Sequence, residues 1–302
     1  MALKLGDLTL LELRQRLAQG LELRTGPFRF LIHSRRPDVI HGLTTLYADF
    51  PVQESDGFHD YHIQIDKVSG LRRWYRPQIN FWQDGFSPFK PLPVQHAFAL
   101  LEWGMNWCIA AEGQHYLMLH AAVLERNGRA VILPGDPGAG KSTLTAALAL
   151  SGWRLLSDEI TLIDREDGLI TPLARPVSLK NKSIDLIRSR FPAAVIGDTS
   201  LDTHKGSVAH LRPPRESVER MDEKARASHI VFPRWRADAQ TRLQPHSRAD
   251  AFIHAATHGF NYSRMGRLGF QLNAALIEGC ECWDFEYSSL DEALATFADL
   301  TA

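Results

Sequence analysis

Hydrophobic positions change their period along the chain, and the changes mark its elements. Residues 8–18 set Leu10, Leu11, Leu13 and Leu17 near one face and Glu12, Arg14 and Arg16 elsewhere, which predicts an amphipathic helix ended by Gly20. The apolar run 28–33 predicts a strand, and 39–47 a helix with Leu43 and Leu46 inward, closed by Phe50-Pro51. Over 61–66, Tyr61, Ile63 and Ile65 alternate with His62, Gln64 and Asp66, the two-residue period of a half-buried strand. Ser69-Gly70 predicts a turn, with strands at 71–75 and 78–82 beyond it. Phe81, Trp82, Phe86 and Phe89 are read as the core of a small domain, and Pro88, Pro91 and Pro93 as its exit. This predicts an α+β domain over 1–92 and a second domain over 93–302, with a helix over 95–111 at the join.

The second part opens on a buried run, 116–124, interrupted by His120. Asn127-Gly128 is a two-residue hairpin signal, so the strand beginning at Ala130 is expected to return antiparallel to 121–125. That puts His120 in the same sheet; a lone histidine there is either a satisfied core residue or a functional one. Further strands are predicted from 153–156, 160–164, 227–235 and 282–287, and helices from 143–150, 183–191, 250–259 and 290–300, with another ending at Gly279. Residues 200–214 read as a loop carrying His204, Lys205 and Arg212, with Arg215 next, either solvated or placed to clamp phosphates.

Composition adds little that is specific. The chain has 302 residues, 44% hydrophobic and 23% charged, with a net charge of −1, so no global charge drives it toward nucleic acid or an anionic membrane. Cys108, Cys280 and Cys282 cannot all pair within one chain, which suits a reducing compartment, and Cys280 and Cys282 are read as small buried hydrophobes. No stretch has a signal-peptide pattern or the length of a membrane span, so a soluble cytoplasmic protein is expected. His254 and His258 stand four apart on a helix, a spacing that can hold a metal, but without the glutamate of an H-E-x-x-H arrangement the metal reading is disfavoured.

The chemistry concentrates at 129–164. Gly135, Asp136, Pro137, Gly138, Ala139, Gly140, Lys141 and Ser142 form a complete G-x-x-x-x-G-K-[ST] phosphate loop, followed by Thr143, between a predicted strand and a predicted helix. Glycines let backbone N–H groups turn toward phosphate oxygens, and the helix start adds its positive end. Lys141 suits the outer phosphates, and Ser142 suits Mg²⁺. After one short helix and Gly152, a strand ends in Ser157-Asp158-Glu159. One acid can hold Mg²⁺ while the other accepts a proton from an attacking hydroxyl; the alternative is a pair of solvated turn acids.

The order His120, hairpin, Gly135–Ser142 loop, short helix and Asp158-Glu159 resembles the HPr serine kinase/phosphorylase family, with Glu159 where that family has a second aspartate. Glu102-Trp103-Gly104-Met105-Asn106-Trp107, Lys205-Gly206, Ala209-His210-Leu211-Arg212-Pro213-Pro214 and Phe260-Asn261-Tyr262 look like the HPr-related kinase A branch. The resemblance implies an α/β P-loop kinase core of the HPr kinase/phosphoenolpyruvate carboxykinase type, with a mixed sheet. It implies ATP- and Mg²⁺-dependent phosphorylation of a serine in a protein or peptide, and a homo-oligomer. By motif, His120 would contact phosphate near the reacting centre, Lys141 and Ser142 would hold phosphate and metal, and Asp158 and Glu159 would share base and metal roles. The family's glycine-rich signature after the acidic pair is not recognisable, and 173–180 carries no acid. A small-molecule kinase and an ATP-binding regulator with little turnover are the alternative readings. Neither nucleic acid nor membrane is expected as a partner.

Overall fold

A computed structural model describes residues 3–52, 57–68, 75–136 and 138–302. The expected turn at Ser69-Gly70, nearly all of the expected strand at 71–75, and Pro137 of the loop lie outside the described residues. The fold is mixed α/β, and its packing forms two units. One takes the described residues up to Ile109 together with 178–188 and 193–212; the other takes 110–177, 189–192 and 213–302.

The first unit begins with α1 (Leu10–Gln19). Thr9 caps it: its hydroxyl accepts the Glu12 N–H at 3.2 Å, and the Glu12 carboxylate accepts the Thr9 N–H at 2.8 Å. The expected apolar stripe is corrected here. Leu13 and Leu17 are buried, whereas Leu10 and Leu11 are exposed. Leu11 sits about 200° from Leu13 around the helix, and Leu10 lies in the first turn, ahead of the buried stripe. Next come β1 (Leu21–Thr25), β2 (Phe28–Ser34) and α2 (Pro37–Leu46), which has proline at its start. β3 (Tyr61–Lys67), β4 (Gln78–Gln83) and β5 (Leu92–Pro93) complete a sheet in the order β1-β2-β3-β4-β5, with only β2 and β3 parallel. The alternation in β3 is real: Tyr61, Ile63 and Ile65 are buried. α3 (Ala97–Glu112) buries Leu100, Leu101 and Met105. A Cβ added at Gly104 would stand 2.0 Å from the Phe81 ring, so only glycine allows this approach.

The second unit opens with β6 (Tyr116–Leu119), β7 (Ala121–Arg126), β8 (Arg129–Pro134), α4 (Lys141–Leu150), β9 (Arg154–Ser157), β10 (Thr161–Asp164) and β11 (Ile170–Thr171). The chain then returns to the first unit through β12 (Val177–Lys180), α5 (Lys182–Arg190), β13 (Ser200–Thr203) and β14 (Gly206–Leu211). The expected loop at 200–214 is therefore largely a hairpin, because Val208, Ala209 and Leu211 are buried. Arg212 is an ion pair with Asp49 inside that unit, its Nε donating at 3.0 Å.

The second unit closes with α6 (Arg215–Glu219), β15 (Ala227–Trp235), β16 (Arg242–Pro245), α7 (Arg248–His258), α8 (Tyr262–Glu278), β17 (Glu281–Tyr287) and α9 (Leu290–Leu300). Its main sheet runs β16-β17-β15-β8-β7-β9, with β15 parallel to β8 and β17, and β7 antiparallel to both β8 and β9. The Asn127-Gly128 hairpin forms as expected: both residues have positive φ, 54° and 76°, and Arg126 faces Arg129. β6 pairs instead with β10 in a small sheet, so the chain changes sheets at His120. No helix among the described residues is long and apolar enough to cross a membrane.

Candidate functional site

Strand direction brings the chemistry to one edge of the main sheet. β8 and β9 flank β7, and both run antiparallel to it, so their C-terminal ends lie together beside the start of β7. In register, Ser157 faces Val123, Val123 faces Ile132, and Ala121 faces Pro134. The glycine-rich loop leaves β8 at this edge, Asp158 and Glu159 leave β9 there, and His120 immediately precedes β7 between them.

Local hydrogen bonds hold the acidic turn. The Ser157 hydroxyl accepts the Ile160 N–H at 3.2 Å, tightening 157–160, and the Thr161 hydroxyl donates to the Ala121 carbonyl at 3.0 Å. Asp158 is buried and Glu159 half-buried. Below the loop, Lys141 is the first residue of α4 and is buried, with Ser142 and Thr143 half-buried beside it. Lys141, at a helix start, and Asp158, at the strand end, are thus both buried residues on elements that meet at this end of the sheet.

The loop is built on left-handed glycines. Gly138 has φ 92° and Gly140 has φ 87°, a region L side chains rarely adopt. A Cβ on Gly138 would meet nothing, but on Gly140 it would stand 2.7 Å from the Tyr287 hydroxyl and 2.9 Å from the Trp235 Cβ. Two residues that the sequence did not single out therefore fix the loop from behind. The Tyr287 hydroxyl donates to the Gly140 carbonyl at 3.3 Å, and the Trp235 N–H donates to the Ala139 carbonyl at 3.0 Å. Tyr287 is buried, which pushes its phenol above the usual range and keeps it a neutral donor. A Cβ added at Gly135 would make only ordinary contacts with Ala139 and Pro233. A loop of left-handed glycines leading into a helix start with a buried lysine is an arrangement that could hold a phosphate group.

His120 lines a small, mainly apolar pocket together with Ile132, Pro134, Phe232, His254 and His258. Its N–H donates to the His258 carbonyl at 3.3 Å, and its ring lies 5.6 Å from that of Phe260. Asn261 anchors the same corner: its side chain accepts from the Met118 N–H at 3.0 Å and donates to the Tyr116 carbonyl at 2.7 Å. Thus one residue of the Phe260-Asn261-Tyr262 stretch holds β6 in place just before His120.

Asp136 is exposed and stands apart from the other loop residues in what it faces. Its Oδ1 lies 3.7 Å from His258 Nε2, and the His254 and His258 rings stack with centroids 4.1 Å apart. Burial, followed by the neighbouring His258, pushes the His254 imidazole below its usual range. The two cysteines expected as buried hydrophobes are buried and unpaired in disulfides, and burial pushes the Cys280 thiol up to about 12.

No protein-family model matches this chain, and no curated protein matches it. Among solved structures, one similar chain is the HPr(Ser) kinase/phosphatase from Coxiella burnetii, 14% identical, covering 61% of this chain and 96% of that one, with a TM-score of 0.27. A superposition at that score transfers no residue role to this chain.

Proposed function

We propose that the chain is an ATP- and Mg²⁺-dependent kinase that transfers the γ-phosphoryl group to a hydroxyl, with a serine of a protein or peptide as the favoured acceptor. The observation that carries this reading is the shared sheet edge: the loop after β8, the acidic turn after β9, and His120 before β7. A binding loop alone would need only the first of these.

The roles follow from charge and position. Lys141 and the loop amides hold the outer phosphates in line with the acceptor. Asp158, buried at the strand end, accepts the proton of the attacking hydroxyl. Lys141 and His120 stabilise the negative charge that builds on the transferred group. Ser142 and Glu159, with Asp158, are the oxygen donors suited to Mg²⁺. When bound, that ion supplies charge neutralisation on the β- and γ-phosphate oxygens. Tyr287 and Trp235 keep the loop in its phosphate-ready shape.

The test is incubation with ATP labelled at the γ-phosphate and a lysate of the source cell. One labelled macromolecular acceptor is the expected result. Label confined to a small molecule moves the acceptor to a metabolite hydroxyl, and ATP binding without any labelled product makes the protein a nucleotide-binding regulator instead.

A further inference from the structure

The glycine-rich loop carries one acidic side chain, Asp136. The fold gives Asp136 two imidazoles. His254 and His258 are one turn apart on α7, so they leave the helix from one face. His258 Nδ1 lies 3.0 Å from the His254 carbonyl. A carbonyl only accepts, so Nδ1 carries a proton, which leaves Nε2 as the ring atom able to bind a metal in the neutral tautomer. Nε2 lies 3.7 Å from Asp136 Oδ1.

The gap itself is informative. It is too long for a hydrogen bond. It is shorter than the roughly 4.1 Å that two metal–ligand bonds of about 2.0–2.1 Å span end to end, so one ion fits between the two atoms at a bent angle. One ligand atom from each of Asp136, His254 and His258 lies within 4.8 Å of the other two. The neighbouring His246 is already engaged by Asp284 at 3.0 Å, and the Phe232 ring packs on both it and His254, with centroids 4.3 Å and 5.0 Å away.

We propose that Asp136, His254 and His258 form a binding site for a zinc-type divalent transition ion, with its remaining coordination positions open. Two imidazoles and one carboxylate suit Zn²⁺ or Co²⁺, whereas Mg²⁺ takes oxygen ligands, so this ion is distinct from the one assigned to Ser142 and Glu159. The inference does not depend on the kinase reading. Tethering the loop at Asp136 to the end of α7 couples the ion to the shape of the phosphate site.

The experiment is titration of the chelator-treated full chain with Co²⁺, followed by visible absorption, and with Zn²⁺ by calorimetry, without nucleotide. One ion per chain with a ligand-field band is expected, and His254→Gln, His258→Gln and Asp136→Asn should each weaken binding by about tenfold or more. Absence of the band, or wild-type affinity in the variants, overturns the site. Zinc-edge X-ray absorption on the wild-type protein tests it independently of variant folding: imidazole and oxygen scattering supports the site, and a sulfur shell overturns it.

Discussion

Gly140 is the position where the shape of the loop is most directly tied to the rest of the fold, and Gly138 provides an internal control. Both have left-handed backbone, so alanine at either carries a strain of about 1–2 kcal/mol. At Gly138 nothing else is met. At Gly140 the new methyl overlaps the Tyr287 hydroxyl at 2.7 Å and the Trp235 Cβ at 2.9 Å. Neither can swing clear, because Tyr287 is 2% exposed and Trp235 is held through its backbone bond to Ala139. Overpacking of this kind costs about 1–3 kcal/mol more. Gly140→Ala should therefore lose about 2–5 kcal/mol in urea unfolding, against about 1–2 kcal/mol for Gly138→Ala. Nucleotide affinity should fall further in Gly140→Ala, since relief of the overlap moves the loop. Adding Tyr287→Phe should recover part of the Gly140→Ala loss relative to Tyr287→Phe alone. Equal losses at the two glycines, with no recovery in the double variant, would refute the idea that Tyr287 and Trp235 set the loop.

Three further outcomes follow from other parts of the second unit. Arg154→Met should cost about 3–5 kcal/mol in denaturant unfolding, because it strands the buried Glu125 carboxylate that Arg154 Nε contacts at 2.6 Å, with Arg220 left 3.8 Å away. Asn261→Ala should lower the melting temperature, since it removes the side-chain partners of two β6 backbone groups at about 1–3 kcal/mol each. Lys224→Met should show a pH-dependent loss. The hydrogen bond from Lys224 holds the Asp167 carboxyl below its usual range, so its contribution is present above the unfolded value of about 3.9 and disappears as pH falls through the lowered one. Hydrogen bonds to Asp164 and then to Asp167 raise the Lys224 ammonium, so its contribution is full below about 10.4 and is lost only as pH rises through its raised value. Both groups are partly solvated, so the difference from wild type should stay under about 1 kcal/mol, and melts should converge only once pH has fallen below the lowered Asp167 value.

The fold is legible in the sequence where the physics is local. Asn127-Gly128 specifies a hairpin by its backbone preferences alone, and that hairpin aligns β7 with β8. The short step from Ser142 to Asp158 limits where the acids can lie, and the antiparallel pairing of β7 with both neighbours brings them to the loop's edge. Non-local choices were not legible. Nothing near Gly140 announces Tyr287, its partner 147 residues away. Nothing near His254 announces Asp136, the carboxylate that the fold brings close to the histidine pair. The hairpin formed by β13 and β14 was hidden because its polar turn, with His204 and Lys205, dominates a short stretch whose apolar residues only gain meaning from burial.

The kinase reading stands or falls most directly on Asp158. Transfer of labelled γ-phosphate to the acceptor should drop by about 10²–10⁴-fold in Asp158→Asn, while ATP affinity measured without Mg²⁺ and the melting temperature stay near wild type. An Asp158→Asn protein that labels its acceptor at the wild-type rate would contradict the account.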